Sequence, residues 1–237
     1  MQNFTDEQKK YLQIHEPRFQ KVLDLVRTLE LNSGSDILDI GPSMLTSMLR
    51  KTYEDYNVYT FGIVGEGKDG GHLPANIINK EKHFEYDLND TSNRETWPAP
   101  RLFDVIICAE VIEHLYTSPE YVLQFFNSLL APQGTLILQT PNAAALIKRL
   151  TLLAGRNPYE LIRKNEKNPG HFREYTVDEL IDFVEKAGFT IQSVFLENYF
   201  RLYPRTYKVV SYRILQRILG RNWWDGITLV VSEKADV

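Results

Sequence analysis

FDVIICAEVIEHLYTSPEYV, Phe103 to Val122, is the stretch of sequence that decides the fold. Its first half is a short apolar run, which is typical of a buried strand. Directly after this run come Glu110, Glu113 and His114, at spacings i, i+3 and i+4. If a helical turn starts where the strand ends, these three side chains project from one face of that turn. The stretch therefore predicts a central strand that leads straight into a cluster of titratable groups.

Apolar runs and amphipathic segments alternate along the rest of the chain. The pattern predicts strands at residues 35–41, 57–64, 103–110, 135–141, 189–198 and 226–233, and a short strand followed by a turn within residues 83–90. It predicts helices near residues 16–30, 43–53, 118–134 and 176–188, the last with a capping box formed by Thr176 and Glu179. Strands that alternate with helices indicate an α/β fold with a mostly parallel sheet of seven strands and helices on both faces. The last two strands are not separated by a simple helix, so we expect the final strand to run antiparallel.

The composition indicates a globular protein that forms one sizeable domain over residues 1–237. Of these residues 43% are hydrophobic, which is enough apolar surface for a core. The formal net charge of −4 disfavours nucleic-acid binding by the whole surface. Cys108 is the single cysteine, which excludes an internal disulfide and favours a reducing compartment. Two segments, at about 142–173 and 199–224, interrupt the alternation and are predicted to be insertions above the sheet.

Signals for membrane insertion or secretion are absent from the sequence. No segment approaches the roughly 18 consecutive apolar residues that a membrane-spanning helix needs. The first residues, MQNFTDEQKKYLQIHEP, lack the apolar core of a signal peptide. We therefore expect a soluble, cytoplasmic protein.

Five segments in a fixed order resemble one enzyme family. They are LDIGPS (38–43), YDLND (86–90), FDVIICAEVIEHL (103–115), LLAPQGTLILQTPN (129–142) and HFREYTVDELIDFVEKAGF (171–189). Together they resemble the class I S-adenosylmethionine-dependent methyltransferases, which have a Rossmann-like sheet. The resemblance implies that S-adenosylmethionine is the cofactor. It also implies that Asp39, Gly41 and Ser43 line the methionine end of this cofactor, while Asp87 and Leu88 lie beside the adenine.

The sequence departs from the family pattern at two places. Gly41 is followed by Pro42 and Ser43, where the family usually has further glycines. The acidic residue that usually binds the ribose hydroxyls falls on Val64, and Glu66 is the nearest replacement. These departures keep open a protein that retains the fold and binds a cofactor or a partner without catalysis. A dinucleotide-binding oxidoreductase is disfavoured, because no G-x-G-x-x-G follows the first strand.

The carboxylates and imidazole of EVIEH also suit a metal site. Glu110, Glu113 and His114 form part of a shell for Mg²⁺ or Mn²⁺, and His171 in NPGHFREY is a candidate further ligand. The motif is similar to that of small-RNA 2′-O-methyltransferases and ubiquinone-pathway O-methyltransferases, in which a divalent ion activates an acceptor hydroxyl. Two alternatives remain open. Either His114 or His171 acts as a general base without a metal, or these side chains only shape the cofactor loop.

The two insertions carry most of the clues to the methyl acceptor. Between Arg201 and Arg221 the sequence contains six basic residues and no acidic one. A positive rim of this kind suits an anionic acceptor. The alternative is a helix whose apolar side packs on the domain or on a second copy of the chain in a homodimer. The function we expect is O-methylation of a small-molecule or glycan hydroxyl, and the alternative acceptor is the 2′-hydroxyl of RNA.

Overall fold

A computed structural model describes residues 6–63, 79–164, 169–199 and 207–233, with side chains omitted for residues 7, 8 and 207–212. Val64, where the family's ribose-binding acid is missing, and Glu66, its candidate replacement, lie outside the described residues. Within the described ranges no helix is long and apolar enough to cross a membrane.

Seven strands form one sheet, as the sequence predicts. Their order is β3-β2-β1-β4-β5-β7-β6, and β7 runs antiparallel to both of its neighbours while the other pairings are parallel. The prediction of a mostly parallel sheet with an antiparallel final strand is therefore confirmed. The bounds are β1 Asp36–Ile40, β2 Asn57–Phe61, β3 His83–Phe84, β4 Phe103–Ala109, β5 Leu130–Pro141, β6 Phe189–Glu197 and β7 Gly226–Glu233.

Helices cover both faces of this sheet. Helices α1 and α2 bury their apolar sides in one core cluster, and α3 and α5 bury theirs in a second cluster on the opposite face. Because both faces are covered, the central strands are buried along nearly their whole length. The bounds are α1 Asp6–Thr28, α2 Met44–Thr52, α3 Pro119–Leu129, α4 Leu146–Leu153, α5 Val177–Lys186 and α6 Tyr207–Leu219.

Three element boundaries differ from the sequence-based expectation. Helix α1 starts at Asp6 and contains Pro17, whereas the sequence predicted a helix from about residue 16. Helix α3 ends at Leu129, not near Gly134, because Leu130 already pairs with Phe103 of β4. The third strand is only two residues long, since a 3₁₀ turn begins at Leu88. The capping box of Thr176 and Glu179 at the start of α5 is confirmed.

The order of the strands determines where a ligand binds. Strands β1 and β4 are neighbours at the centre, and the chain winds outward from them in opposite directions. In such a sheet the loops that follow the two central strands diverge and leave a crevice at the carboxyl edge. Gly41 follows β1 and Glu110 follows β4, so both line this crevice.

Candidate active site

The loop after β1 requires a glycine at position 41. Gly41 has a φ of 72°, and a β-carbon built on it would lie 2.9 Å from Cγ2 of Val111. Its N–H donates to the carbonyl of Phe61, which fixes the loop against β2. Ser43 is the N-cap of α2, and its hydroxyl accepts from the N–H of Leu45. These contacts fix the backbone of the loop at the edge of the crevice between β1 and β4.

Asp39 is buried at the end of β1 and anchors the next helix. Its Oδ2 accepts a hydrogen bond from the hydroxyl of Thr46 in α2. Burial raises the pKa of this carboxyl to about 7, although the bond from Thr46 and the charges of Arg50 and Arg18 act in the opposite direction. Asp39 thus has a structural contact of its own, whatever it contributes to a cofactor.

The predicted adenine residues begin the turn after β3. Asp87 caps this 3₁₀ turn, since its Oδ1 accepts from the backbone N–H of Asn89 at 2.9 Å and from the Asn89 amide at 3.0 Å. Leu88 is buried. Oδ1 of Asn89 accepts from the N–H of Tyr116 at 2.8 Å. The turn after β3 is thereby tied to the loop that follows EVIEH.

The EVIEH segment has a different backbone from the one we expected. Only Ile112–His114 forms a turn, and this turn is a 3₁₀ helix. Glu110 precedes it with a φ of 58°, in the left-handed region. The prediction that Glu110, Glu113 and His114 share one helical face is therefore wrong. A bulky residue at positive φ is uncommon, and nothing in the local sequence indicates it.

Glu113 is a fully buried carboxyl that lacks part of its hydrogen bonding. Its Oε2 accepts from the hydroxyl of Thr140 at 2.9 Å. Its Oε1 is buried without a hydrogen-bond partner among the described residues, and the same is true of Oε1 of Glu110. Burial raises the pKa of both carboxyls, and repulsion by Glu113 raises that of Glu110 further. Buried oxygens without a partner are costly, which indicates that a donor or a cation belongs here.

His114 and His171 meet beside Glu113. Their rings lie edge to face with centroids 4.7 Å apart. Nδ1 of His114 lies 3.0 Å from the carbonyl of Gly170, so this nitrogen carries the proton, and Nδ1 of His171 lies 3.1 Å from Oε1 of Glu174. These contacts leave Nε2 of each ring as the nitrogen with a lone pair. Burial lowers the pKa of both histidines, that of His171 to about 4, so both are neutral near pH 7.

Three of the four predicted metal ligands come together. Glu113, His114 and His171 each offer a ligand atom, and these atoms all lie within 4.8 Å of one another. Glu110 lies outside this group. The backbone holds the two segments together, because the N–H of Phe172 donates to the carbonyl of Glu113 at 2.8 Å. A carboxylate and two neutral imidazoles are a suitable donor set for a divalent ion.

Helix α1 adds a residue that the sequence-based prediction missed. The guanidinium of Arg18 is buried, and it donates to Nδ1 of His15 at 3.0 Å and to the hydroxyl of Tyr11 at 2.7 Å. It packs over the ring of Phe19 and forms no ion pair within the described part of the chain. Its charge lowers the pKa of Glu110, Glu113 and Asp39. The spacing i, i+4, i+7 of Tyr11, His15 and Arg18 was a visible signal, but the helix was expected to start too late.

An ion pair between Lys148 of the first insertion and Glu174 lies beside His171. Nζ of Lys148 pairs with Oε2 of Glu174, whose other oxygen faces His171. The same ammonium donates to the carbonyl of Asn142 at 3.0 Å. Helix α4 is thereby connected to the candidate metal ligands through a buried carboxylate.

Comparison with known proteins finds similarity to methyltransferases. A probable S-adenosylmethionine-dependent methyltransferase of Mycolicibacterium smegmatis is 34% identical over 89 residues, which is 38% of this chain and 29% of that protein. The ubiquinone biosynthesis O-methyltransferase of Ruegeria pomeroyi is 28% identical over 127 residues, 53% of this chain and 50% of that protein. The chain thus spans half the length of these relatives or less.

A solved structure has the same fold over almost the whole chain. Magnesium protoporphyrin IX methyltransferase from Synechocystis, determined with bound SAH, superposes with a TM-score of 0.55 at 14% identity. The match covers 99% of this chain and 90% of that one. The sequence profile of the methyltransferase domain matches residues 14–194. The chain belongs to the methyltransferase domain family, as its resemblance to the class I S-adenosylmethionine-dependent methyltransferases predicted.

Proposed function

We propose that this chain transfers the methyl group of S-adenosylmethionine to a hydroxyl oxygen of a small molecule or glycan, with the help of a divalent ion. The observation that carries the proposal is the convergence of Glu113, His114 and His171 within 4.8 Å at the ligand-binding edge of the sheet. The similarity to a protein named as an O-methyltransferase supports oxygen as the acceptor atom.

The cofactor would lie across the carboxyl ends of β1, β2 and β3. In this arrangement the backbone at Gly41 and Ser43 and the side chain of Asp39 line the methionine end, while Asp87 and Leu88 lie beside the adenine. SAH bound in a protein of the same fold supports this class of cofactor. Glu66 remains our candidate for the ribose hydroxyls.

Arg18 is the counter-ion that we assign to the methionine carboxylate. It is a buried cation whose described hydrogen bonds are all to neutral groups, namely His15 and Tyr11. Its charge lowers the pKa of both Asp39, near the end of β1, and Glu110, directly after β4, which supports a role at this edge of the sheet. A buried cation is stabilised when a carboxylate joins it, since its own desolvation is then compensated.

Glu113, His114 and His171 would hold the ion, and a donor set of two imidazoles and one carboxylate suits Mn²⁺ better than Mg²⁺, which prefers oxygen ligands. The unpartnered Oε1 of Glu113 and the two Nε2 atoms are the free positions. Thr140 orients the carboxylate, while Gly170 and Glu174 fix the tautomers of the histidines. Such an ion, when bound, makes a coordinated hydroxyl more acidic near neutral pH.

Methyl transfer itself is an in-line displacement. The bond from the methyl carbon to sulfur breaks as the bond to the acceptor oxygen forms, and the acceptor loses its proton. With the ion bound, both Nε2 lone pairs are occupied and the acidified hydroxyl would lose its proton to solvent; without an ion, His114 or His171, which are neutral near pH 7, would take that proton instead. The main task of the protein is to align the acceptor oxygen with the methyl group and to exclude water.

The test is a transfer assay with labelled S-adenosylmethionine over sugars, phenols, carboxylic acids and short RNAs. We expect label in a hydroxyl-bearing acceptor, loss of activity with a chelator, and recovery with Mg²⁺ or Mn²⁺. Equal rates with and without the chelator would refute the metal, and labelling of carboxylates alone would refute the hydroxyl. Calorimetry with S-adenosylmethionine is the separate check on the cofactor, and an absence of binding there would overturn the enzymatic proposal.

A further inference from the structure

Helix α4 is amphipathic in the opposite sense to a normal surface helix. Its charged side chains turn towards the protein, where Lys148 pairs with Glu174 and Arg149 stacks over the ring of Trp223 at 4.1 Å. The solvent side is apolar. Leu153 is 84% exposed, and the other exposed members are Ile147, Leu150 and Leu152. A surface helix of a globular protein normally places its apolar stripe towards the core.

Helix α6 shows the same inversion over its described side chains. Gln216 is fully buried, and its amide donates to Oδ1 of Asn198 and to the carbonyl of Trp223. Apart from Arg217, the exposed positions around it are again apolar, with Ile218 exposed to 75%. The other exposed apolar side chains of this helix are Ile214, Leu215 and Leu219. Trp223 therefore contacts both inverted helices, since Arg149 of α4 lies over its ring.

The exposed apolar side chains are concentrated in these two insertions. Sixteen large hydrophobic residues are exposed in the described part of the chain, and twelve of them lie in residues 142–173 and 214–219. Beyond α4 they include Leu161 and Ile162, which are 84% and 65% exposed. We call the exposed apolar residues of α4, α6 and the segment 159–162 the apolar face. Such a concentration of exposed apolar side chains is typical of an interaction site.

The charges beside the apolar face are basic. Arg156, Lys164, Arg217 and Arg221 are exposed and form no ion pair with the described residues. The single acid between residues 142 and 164, Glu160, is already paired with Arg163 at 2.9 Å. The surface thus combines apolar side chains with unneutralised positive charge.

We propose that the apolar face docks on an anionic lipid bilayer, with α4 and α6 lying in the plane of the membrane surface. A helix that lies in the interface buries its apolar side among the acyl chains, and cations beside it attract anionic headgroups. A second copy of this chain is a poorer occupant, because a symmetric contact through the same face would bring cations against cations. The absence of a spanning helix from the described residues agrees with attachment at the surface.

The docking would also orient the candidate active site. Lys148 links α4 to Glu174, and Glu174 contacts His171. A membrane bound to α4 would therefore lie on the same side of the sheet as the candidate metal ligands. This proposal does not depend on the identity of the methyl acceptor or on the metal.

The experiment is flotation of the full chain with vesicles, either of phosphatidylglycerol mixed with phosphatidylcholine or of phosphatidylcholine alone. We expect the chain to float with the mixed vesicles and to be released by salt. The variant Leu150→Glu/Leu153→Glu should lose at least about tenfold in vesicle affinity, because charges then replace the inserted side chains. Ile218→Glu tests α6 in the same way, and Arg217→Gln/Arg221→Gln should weaken binding only to the anionic vesicles.

The matched control is Leu102→Glu. Leu102 is 52% exposed, as Leu152 is, but it precedes β4 at the opposite edge of the sheet. Circular dichroism shows whether each variant is folded. A wild-type chain that stays out of mixed vesicles would overturn the proposal, as would equal flotation of the α4 variant and the control. Light scattering distinguishes the membrane from a second copy of the chain as the occupant of the apolar face. If the wild type is a dimer that does not bind lipid, and the α4 variant is a monomer, the occupant is a second copy.

Discussion

The rings of His114 and His171 meet edge to face, with an interplanar angle of 85°, although they come from segments that follow different strands. Each ring has its Nδ1 engaged, by Gly170 in one case and by Glu174 in the other. A nitrogen of each ring and a carboxylate oxygen of Glu113 lie within 4.8 Å of one another, and these hydrogen bonds leave Nε2 as the nitrogen available on each ring.

This relationship predicts the effect of removing one ring on metal binding. His171→Gln should weaken Mn²⁺ binding, measured by calorimetry without cofactor, by at least about tenfold, because one of three ligands is lost. Glu174→Gln should have a smaller effect in the same direction, no more than about tenfold, since it only orients His171. His83→Gln is the control, as His83 contacts Thr60 near β3. Unchanged Mn²⁺ binding in His171→Gln would remove His171 from the ligand set.

A second prediction concerns Gly41. Gly41 and Gly155 share a φ of 72°, but a β-carbon at 41 meets Val111 at 2.9 Å whereas one at 155 meets nothing within 4 Å. Gly155→Ala should therefore cost only the backbone term, about 1 kcal/mol. Gly41→Ala should cost more and should abolish S-adenosylmethionine binding, since the loop must shift. Urea unfolding measures the loss of stability, and calorimetry measures the binding of S-adenosylmethionine. An equal loss of stability in both variants would contradict the steric argument.

A third prediction concerns Arg18 and separates the two ends of the cofactor. Arg18→Met should weaken the binding of S-adenosylmethionine by about tenfold to a hundredfold, the range of a lost charge-assisted hydrogen bond. Binding of methylthioadenosine, which lacks the amino and carboxylate groups, should change little. Calorimetry with both ligands on wild type and variant makes the comparison. A parallel loss for both ligands would mean that Arg18 only supports the fold.

The fold was predictable because its signals are local. Apolar runs that end at Gly41 and at Glu110 marked β1 and β4, and the capping box at Thr176 marked α5. The end of α3 was not predictable in this way. Leu129 and Leu130 are both apolar, and the pairing of Leu130 with Phe103, which is distant in sequence, decides between helix and strand.

The candidate site was predictable in composition but not in geometry. The proximity of His171 and His114 was predictable, because the loops after parallel strands emerge at the same edge of a sheet. The left-handed backbone of Glu110 has no local signal, and it separates this residue from the other three. Arg18 was missed because the helix was predicted to start near residue 16, which left Tyr11 and His15 outside it.

The last prediction concerns pH and His15. Burial, with a smaller contribution from Arg18, lowers the pKa of His15 from 6.5 to about 3. The bond from Nε of Arg18 to Nδ1 requires this nitrogen to be unprotonated. Below pH 6.5 the unfolded chain binds a proton that the folded chain excludes until about pH 3. The contribution of His15 to the free energy of unfolding is therefore fully present above pH 6.5 and is lost as the pH falls from 6.5 to about 3.

The measurement is urea unfolding of the wild type and of His15→Gln at about pH 7.5 and about pH 5. His114, His171 and His83 also have lowered pKa values, while the raised pKa values of the buried carboxyls act in the opposite direction, so these groups set a pH dependence that both proteins share. Relative to the variant, the wild type should become less stable by roughly 1 kcal/mol from about pH 7.5 to about pH 5, a value reduced from the buried limit because His15 is partly exposed. Glutamine keeps a polar acceptor for Arg18 but does not titrate. A stability difference between the two proteins that is the same at both pH values would show that His15 is not held neutral by its surroundings.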